Sequence, residues 1–335
     1  MFWRACLFVV TLMFCWQGVV FSAFAAEQKL YLAHLNPNQS DNPSGAMALA
    51  FERALAKLSK GGLAVETFPE GQLGKAKQLL DLVQQGVIQS AIVSLDGLAD
   101  RYPLIGILNY PFRFQNLEET YSVFDGPFGK ALGDDILQKT GLQVLGYGDT
   151  GGLFVLTNSR RPIRAPGDMA GLRMRTMNLE SHMAFMRSLG ADPVAVAWGE
   201  LLSLLKNGSL DGQMNPATII RVGKLERAQR YLTVTNHLYT PYVWVVNHPF
   251  MQSLHAAQAD AVNKAAQMGV TASRALAMKD DSLTELAEKM QVYYPTSEQL
   301  QAFRDRAQPA MEQFLEKQYG EQGAKLLQLF RQESP

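Results

Sequence analysis

Beyond an apolar N-terminal run, the chain alternates short extended stretches with amphipathic helical ones, and this order limits the fold more than any other feature. Lys29-Leu30-Tyr31-Leu32-Ala33-His34 reads as a strand. Ser44 is placed to cap a helix whose apolar stripe is Met47, Ala50, Phe51, Ala54 and Leu58. Leu63 to Phe68 reads as a second strand, stopped by Pro69, and Leu73 to Gln85 as a helix closed by Gly86. A third strand runs from Gln89 to Leu95, and Asn116 with Glu119 signals another helix start. The second half continues with strands at Gly171 to Thr176, Asp211 to Asn215 and Tyr242 to Val246. Helices are expected at His182 to Leu189 and at Trp198 to Asn207. One long helical pattern covers Ala256 to Met290, and Thr296 with Gln299 opens a last helix that reaches Tyr319. Such an order predicts an α/β fold with mostly parallel sheets flanked by helices.

The first residues read as an address. Arg4, the apolar stretch Leu7 to Phe14 and the small-x-small triplet Ala23-Phe24-Ala25 fit a signal peptide over residues 1–25 that is cleaved to leave Ala26 first. An uncleaved anchor is the alternative, but Gln17 and Gly18 interrupt a segment already short for a span. Cys15 follows Phe14 rather than a small residue, which argues against a lipid anchor. Both cysteines, Cys6 and Cys15, lie in this leader, so the mature chain holds neither a disulfide nor a thiolate. The remaining length, roughly 310 residues, predicts two domains of ordinary size. No Pro/Ser linker divides them, so the chain is expected to cross between the domains more than once and to leave a cleft. Lys plus Arg equals Asp plus Glu at 31 each, no basic block occurs, and nucleic acid is not an expected partner.

Within the second half, Arg175 is the leading candidate for chemistry. Arg173 and Arg175 are two apart and share a face of a strand. They read either as a solvated pair on an edge strand or as a ligand clamp, with Arg175 facing a cleft at the strand's carboxyl end. A guanidinium offers two parallel donors that match a carboxylate, and a buried one left without an anion is costly. Asn178 and Asn215 can add amide contacts to the same anion, or serve as ordinary turn residues. Trp198 can wall the ligand or pack in the core. Enzyme signals are weak: the histidines His34, His182, His237, His248 and His255 form no metal-binding pair, and no nucleophile elbow or phosphate-binding glycine loop occurs. Glu200 is the most tempting acid, but its place in the first turn of a helix suits a dipole role.

Six segments in order resemble the extracytoplasmic solute receptors of tripartite ATP-independent periplasmic (TRAP) transporters. They are Phe68-Pro69-Glu70-Gly71-Gln72-Leu73-Gly74, Tyr110-Pro111-Phe112-Arg113-Phe114, Pro166-Gly167-Asp168 with Gly171-Leu172-Arg173-Met174-Arg175, Leu189-Gly190-Ala191-Asp192-Pro193-Val194, Asp211-Gly212-Gln213-Met214-Asn215-Pro216 and Thr233-Val234-Thr235-Asn236-His237. The resemblance implies a two-lobed flytrap with a long helix spanning both lobes. Lobe I would hold residues 26–151 and about 241–280, lobe II residues 152–240 and about 281–305, and residues 306–335 would form a C-terminal helix packed on both. It places the carboxylate-binding arginine on Arg175, a polar contact on Asn178, the aromatic wall on Trp198 and an amide contact on Asn215. Ser94 in the first lobe falls near the ligand's polar tail, and His34, at the end of the first strand, joins the lining candidates. The partners implied are a small organic acid and membrane permease subunits, with a monomeric receptor and no cofactor.

Two departures from the family pattern bear on the ligand. Phe154 stands near the place where many members carry a second arginine, which points to a monocarboxylate whose apolar, aromatic or hydroxylated tail lies near Phe154 and Trp198. Lys75 and Lys77 stand where many members carry glutamate. The rival readings are a receptor serving a sensor kinase or an ATP-driven importer, and a periplasmic lyase or hydrolase on the same fold.

Overall fold

Two mixed β-sheets divide the residues that the computed structural model describes, 28–332. Residues 1–25, expected to form a leader, and the two cysteines among them lie outside the described residues. The first sheet begins with β1 (Gln28–Ala33), whose Leu30 and Leu32 are fully buried against α1 (Pro43–Leu58). Asn42, rather than Ser44, caps that helix: its side-chain oxygen accepts from the Gly45 N–H at 2.9 Å, and Pro43 takes the first helical position, where no N–H is needed. Ser44 instead turns its hydroxyl inward, toward His34 (3.3 Å) and Asn36 (3.2 Å). β2 (Leu63–Phe68) pairs in parallel with β1. The next helix, α2 (Ala76–Gln84), starts three residues later than its apolar pattern predicts. The delay follows from Gly74, whose φ of 121° no right-handed helix can include, so that Lys75 becomes the cap residue.

β3 (Ser90–Val93) completes the parallel part, followed by the 3-10 turns at Leu95–Gly97 and Pro103–Asn109. α3 (Leu117–Asp125) starts where Asn116 accepts from the Glu119 N–H at 2.8 Å, and α4 (Pro127–Thr140) leads into β4 (Leu142–Gly148). The chain then enters the second sheet with β5 (Phe154–Asn158), β6 (Arg173–Thr176), α5 (Glu180–Ser188) and β7 (Asp192–Ala195). It continues through α6 (Trp198–Lys206), β8 (Gly212–Pro216), α7 (Ala217–Val222) and β9 (Tyr231–Thr233). β10 (Tyr242–Asn247) returns to the first sheet and lies antiparallel to both β3 and β4, giving the order β2-β1-β3-β10-β4. After α8 (His248–Ser253), α9 (Ala256–Ala277) packs along α1.

The single helix expected over Ala256 to Met290 is broken. Asp280 accepts from the Ser282 hydroxyl at 2.6 Å, a local bond that competes with helical continuation, and a separate α10 (Ser282–Ala287) precedes β11 (Gln291–Tyr293). β11 closes the second sheet in the order β11-β9-β5-β8-β6-β7. The last helix, α11 (Ser297–Gln332), outruns the expected end at Tyr319 by kinking at Gly320 (φ 56°). Beyond the kink Phe330 is fully buried, 4.9 Å from Phe128 and 5.5 Å from Phe114. α11 also touches α5 and the 103–109 turn, so it bridges elements of both sheets. One apolar core runs through both halves and takes in Ala33, Val243, Phe154, Met174, Phe185 and Met311.

Two of the crossings between sheets lie side by side. Thr150 Oγ1 donates to the Thr240 carbonyl at 2.8 Å, and Phe154 N–H to the Leu238 carbonyl at 2.8 Å. Asp149 is fully buried and fastens the first crossing: Oδ1 accepts from the Gly151 (2.5 Å) and Gly152 (2.7 Å) N–H groups, and Oδ2 from the Tyr121 hydroxyl (2.6 Å). Gly151 has φ 112°, and a Cβ there would lie 2.6 Å from Thr218 Cβ. Gly151→Ala therefore strains both backbone and packing and should cost about 1–3 kcal/mol, read as a fall in melting temperature of about 2–4 °C per kcal/mol. Gly199→Ala, in the first turn of α6 with open space for the methyl group, should instead hold or raise that temperature.

Candidate functional site

β6 is four residues long and lies between β7 and β8, with Arg175 paired to Val194 on one side and Gln213 on the other. Residues in register on neighbouring strands point the same way, so Arg175, Gln213 and Asn215 share one face. Val155 lies opposite Asn215 and shares that face as well. The polar side chains form a continuous run. Asn215 Nδ2 donates to Gln213 Oε1 (2.5 Å), Gln213 Nε2 donates to Thr157 Oγ1 (2.8 Å), and Thr157 Oγ1 donates to Gln229 Oε1 (2.9 Å). All four are buried.

The two arginines of β6 have different fates. Arg173 is committed to Asp211, Nη2 to Oδ1 at 2.9 Å, and Asp211 also takes Arg160 Nε at 2.7 Å. Those bonds hold the Asp211 carboxyl well below the usual carboxylate range. Arg175 is only 3% exposed. Its Nε donates to the Val196 carbonyl at 2.9 Å, and no protein group among the described residues pairs with Nη1 or Nη2. Burial pulls its pKa down to about 10, opposed by the negative charge of Asp96, which makes no ion pair with it. A guanidinium of that basicity is charged at neutral pH, and its outer edge is unpaired.

The other side chains singled out in the sequence are placed unevenly. Asn215 is buried beside Gln213, and Ser94 is half-buried at the end of β3, its Oγ donating to Asp96 Oδ1 at 2.5 Å. Phe154 points to the sheet face opposite Asn215, because it alternates with Val155 along β5. It is 2% exposed, with His182 at 6.4 Å and His237 at 6.5 Å. Trp198 is half-buried against the cluster formed by Leu201, Ile220 and Leu225, its ring so near Gly223 that a Cβ there would lie 2.6 Å from Cη2. Asn178 is exposed in the β6–α5 connection. His34 is fully buried beneath the β1–α1 loop beside Ser44; its Nε2 and Asn38 Oδ1 lack well-aligned partners, although the Asn38 side chain lies near enough to favour the charged ring against burial.

Contacts between elements of the two sheets surround this region. Lys75, at the start of α2, pairs with Glu200 of α6 at 3.0 Å, which gives the first-turn acid a partner from the other half. Arg221 of α7 donates to the Asp41 carbonyl at 2.9 Å. Asn109 donates to Ser181 Oγ (2.8 Å), leaving its Oδ1 to accept from His182 Nε2 (2.8 Å); His182 Nδ1 is then a buried acceptor without a partner. Asp96, Asn109, His182 and Gln213 were not among the residues expected at the site. Asp96 stands two residues after Ser94 and Gln213 two before Asn215, so adjacency to candidates was their only signal. Among the described residues no helix is long and apolar enough to cross a membrane, and no group of three or more His, Cys, Asp or Glu is placed to hold a metal.

The profile described as bacterial extracellular solute-binding protein, family 7, matches residues 33–318. The chain belongs to that family. Family 7 comprises TRAP-type solute receptors. One relative of this receptor, the 2,3-diketo-L-gulonate-binding periplasmic protein YiaO of Escherichia coli, is 30% identical over 70% of each chain. Among solved structures, the sugar acid binding protein DctPAm from Advenella mimigardefordensis in complex with galactonate superposes with a TM-score of 0.85 at 29% identity, covering 91% of this chain and 98% of that one. A TRAP periplasmic solute binding protein from Sulfurospirillum deleyianum with bound succinate gives 0.83 at 27% identity, covering 90% and 99%.

Three buried histidines of this family 7 receptor couple its stability to pH. Burial lowers the pKa of His34 to about 4 and those of His182 and His237 to about 3, from the ordinary 6.5. The unfolded chain takes up protons on all three below about pH 6.5, while the folded chain does not until about pH 4 or lower. Stability from these groups is therefore present above pH 6.5 and lost on acidification, by up to about 4 kcal/mol per pH unit between pH 6 and 4.5. Denaturant unfolding at pH 7, 6 and 5 should show this steepening; a flat profile would mean that the imidazoles are solvated.

Proposed function

We propose that this receptor is exported by the leader over residues 1–25, binds a small organic acid through its carboxylate on Arg175, and delivers it unchanged to the membrane permease subunits of a TRAP importer. The observation that carries the reading is a charged guanidinium, 3% exposed, with its outer edge unpaired. A buried charge without a counter-ion costs several kcal/mol, whereas each charge-assisted bond to a carboxylate contributes about 1.5–3 kcal/mol. The site thus favours anions over neutral molecules, and the planar fork favours carboxylates among anions. Asn215, in the same sheet face, supplies an amide to the same anion. The galactonate and succinate held by the two structural neighbours are both carboxylates, in keeping with this reading. The connected crossings at Asp149–Gly152 and Leu238–Thr240 serve as the hinge, as expected of a receptor that closes on its cargo.

A melting-temperature screen of the mature protein against organic acids tests this directly. An acid at about 100 times its dissociation constant should stabilise by roughly 2.7 kcal/mol, a rise of a few degrees for a chain of this size. Arg175→Ala should abolish the rise, and Arg175→Lys should weaken binding at least about tenfold, because a point charge cannot reproduce the two parallel donors. An undiminished rise in Arg175→Ala would remove the anchor. Across the cleft, Glu200→Lys should weaken the same acid by a few-fold at low salt and by nothing measurable at high salt, since Lys75 and Glu200 are both more than half exposed.

A further inference from the structure

We infer that Arg221 is a clasp: its guanidinium bridges the two halves where they meet at the surface, and it slows the release of the acid held between them. The inference concerns retention rather than recognition, and it rests on the carboxylate-receptor reading for its cargo. α7 follows β8 directly, so Asn215, Thr218 and Arg221 succeed one another at three-residue intervals. Thr218 is fully buried and its Oγ1 donates to the Gly151 carbonyl at 3.1 Å, which fastens α7 to the first crossing. Arg221 lies one turn further on, on the same side of the helix. Its Nε donates to Ser282 Oγ at 3.0 Å, in the α10 that precedes β11 of the second sheet, and its Nη2 donates to the Asp41 carbonyl at 2.9 Å, in the β1–α1 loop of the first. The Ser282 hydroxyl spends its hydrogen on Asp280 (2.6 Å), so a lone pair is left for the arginine. One edge of the planar group is thus anchored on its own half and the other reaches across. The carbonyl it reaches is held in place. Asn42, the next residue, donates from Nδ2 to the Pro37 carbonyl at 2.6 Å, and a Cβ on Gly45 would lie 2.3 Å from the Gln39 carbonyl oxygen, so the loop is closely packed.

Exposure separates this contact from the others that join elements of the two sheets. Lys75 and Glu200 are both more than half exposed, and solvent and salt cancel most of their attraction. The bonds of Asn109 to Ser181 and His182 are fully buried, so breaking them would strand polar groups. Arg221 is intermediate, with its side chain 26% exposed. It is sheltered enough for a charge-assisted bond to count, and open enough for water to take the place of that bond when the halves part. Nη1 lies 3.8 Å from Asp41 Oδ2, and the Asp41 side chain is 64% exposed. The backbone carbonyl, not the carboxylate, is therefore the partner that carries the clasp.

Stopped-flow release and calorimetric titration, with galactonate and succinate as probes, test the clasp. Arg221→Met keeps the apolar stem and removes every donor; it should weaken a bound probe by about three- to thirtyfold. The loss should lie in faster release, with capture changed by less than about twofold. It should persist from low to high salt, whereas any effect of Lys75→Ala should vanish. Asp41→Asn leaves the carbonyl in place and should alter release by less than about twofold. The melting temperature without probe reports folding. If Arg221→Met does not fold, Arg221→Lys, a point charge unable to reach both partners at once, carries the test with the same sign. Unchanged release in a folded variant, a loss carried by capture, a loss erased by salt, or an equal loss in Asp41→Asn would overturn the clasp. Any of these, with binding abolished in Arg175→Ala, would leave the carboxylate anchor standing. Binding retained in Arg175→Ala would overturn the anchor alone, and failure of both probes to bind would overturn the carboxylate reading and the clasp with it.

Discussion

A buried cation without a counter-ion is the constraint around which the second half of this molecule is organised. Arg175 is fixed by one bond, Nε to the Val196 carbonyl, and by its place in β6 between β7 and β8. Its neighbour Arg173 shows what the alternative looks like, since that guanidinium is satisfied by Asp211 and by the Gly208 carbonyl. The sheet thus uses one arginine to hold its own strands together and leaves the other's outer edge unused. Preorganisation of that sort would lower the entropic cost of the proposed capture, because the fork would not have to be immobilised on the arrival of an acid.

The first sheet contributes a different chemistry. Its parallel strands end at the polar groups of His34, Asn36, Ser94 and Asp96, and β10 runs against them to bring Tyr242 to Asn36 (2.8 Å). Because one apolar core runs from Ala33 through Phe154 to Phe330, the halves cannot separate as free bodies. In the proposed closure, movement would be absorbed where the crossings lie together, at Asp149–Gly152 and Leu238–Thr240, while the kinked α11 bridges elements of both halves. The exposed Lys75–Glu200 pair is too solvated to hold the lobes shut on its own.

Much of this was legible in the sequence. The apolar periods located β1, β2, α6 and β10 to within a residue or two, and the segment from Asp211 to Asn215 read as a short strand, which is β8. Arg175 could be chosen over Arg173 only by its place at the strand end, since the pleat puts both on one face. The failures have physical causes. Asn42 outcompeted Ser44 as a cap because Pro43 set the first helical residue. The helix expected through Met290 was interrupted by side-chain bonds at Asp280 that no hydrophobic period registers. Phe154 fell on the core face because register with β8 is a tertiary fact, and one residue of phase reverses the face. His182 was invisible because its partner Asn109 is far away in sequence, and Asp96 because no local pattern sets it apart from an ordinary turn acid.

The most direct test of the central claim is a crystal structure of the mature protein with an acid selected by its melting shift. The account predicts that both carboxylate oxygens lie about 2.7–2.9 Å from Arg175 Nη1 and Nη2, with the guanidinium still held by the Val196 carbonyl. An acid group bound elsewhere, with Arg175 turned to solvent or paired to a carboxylate of the protein, would contradict it.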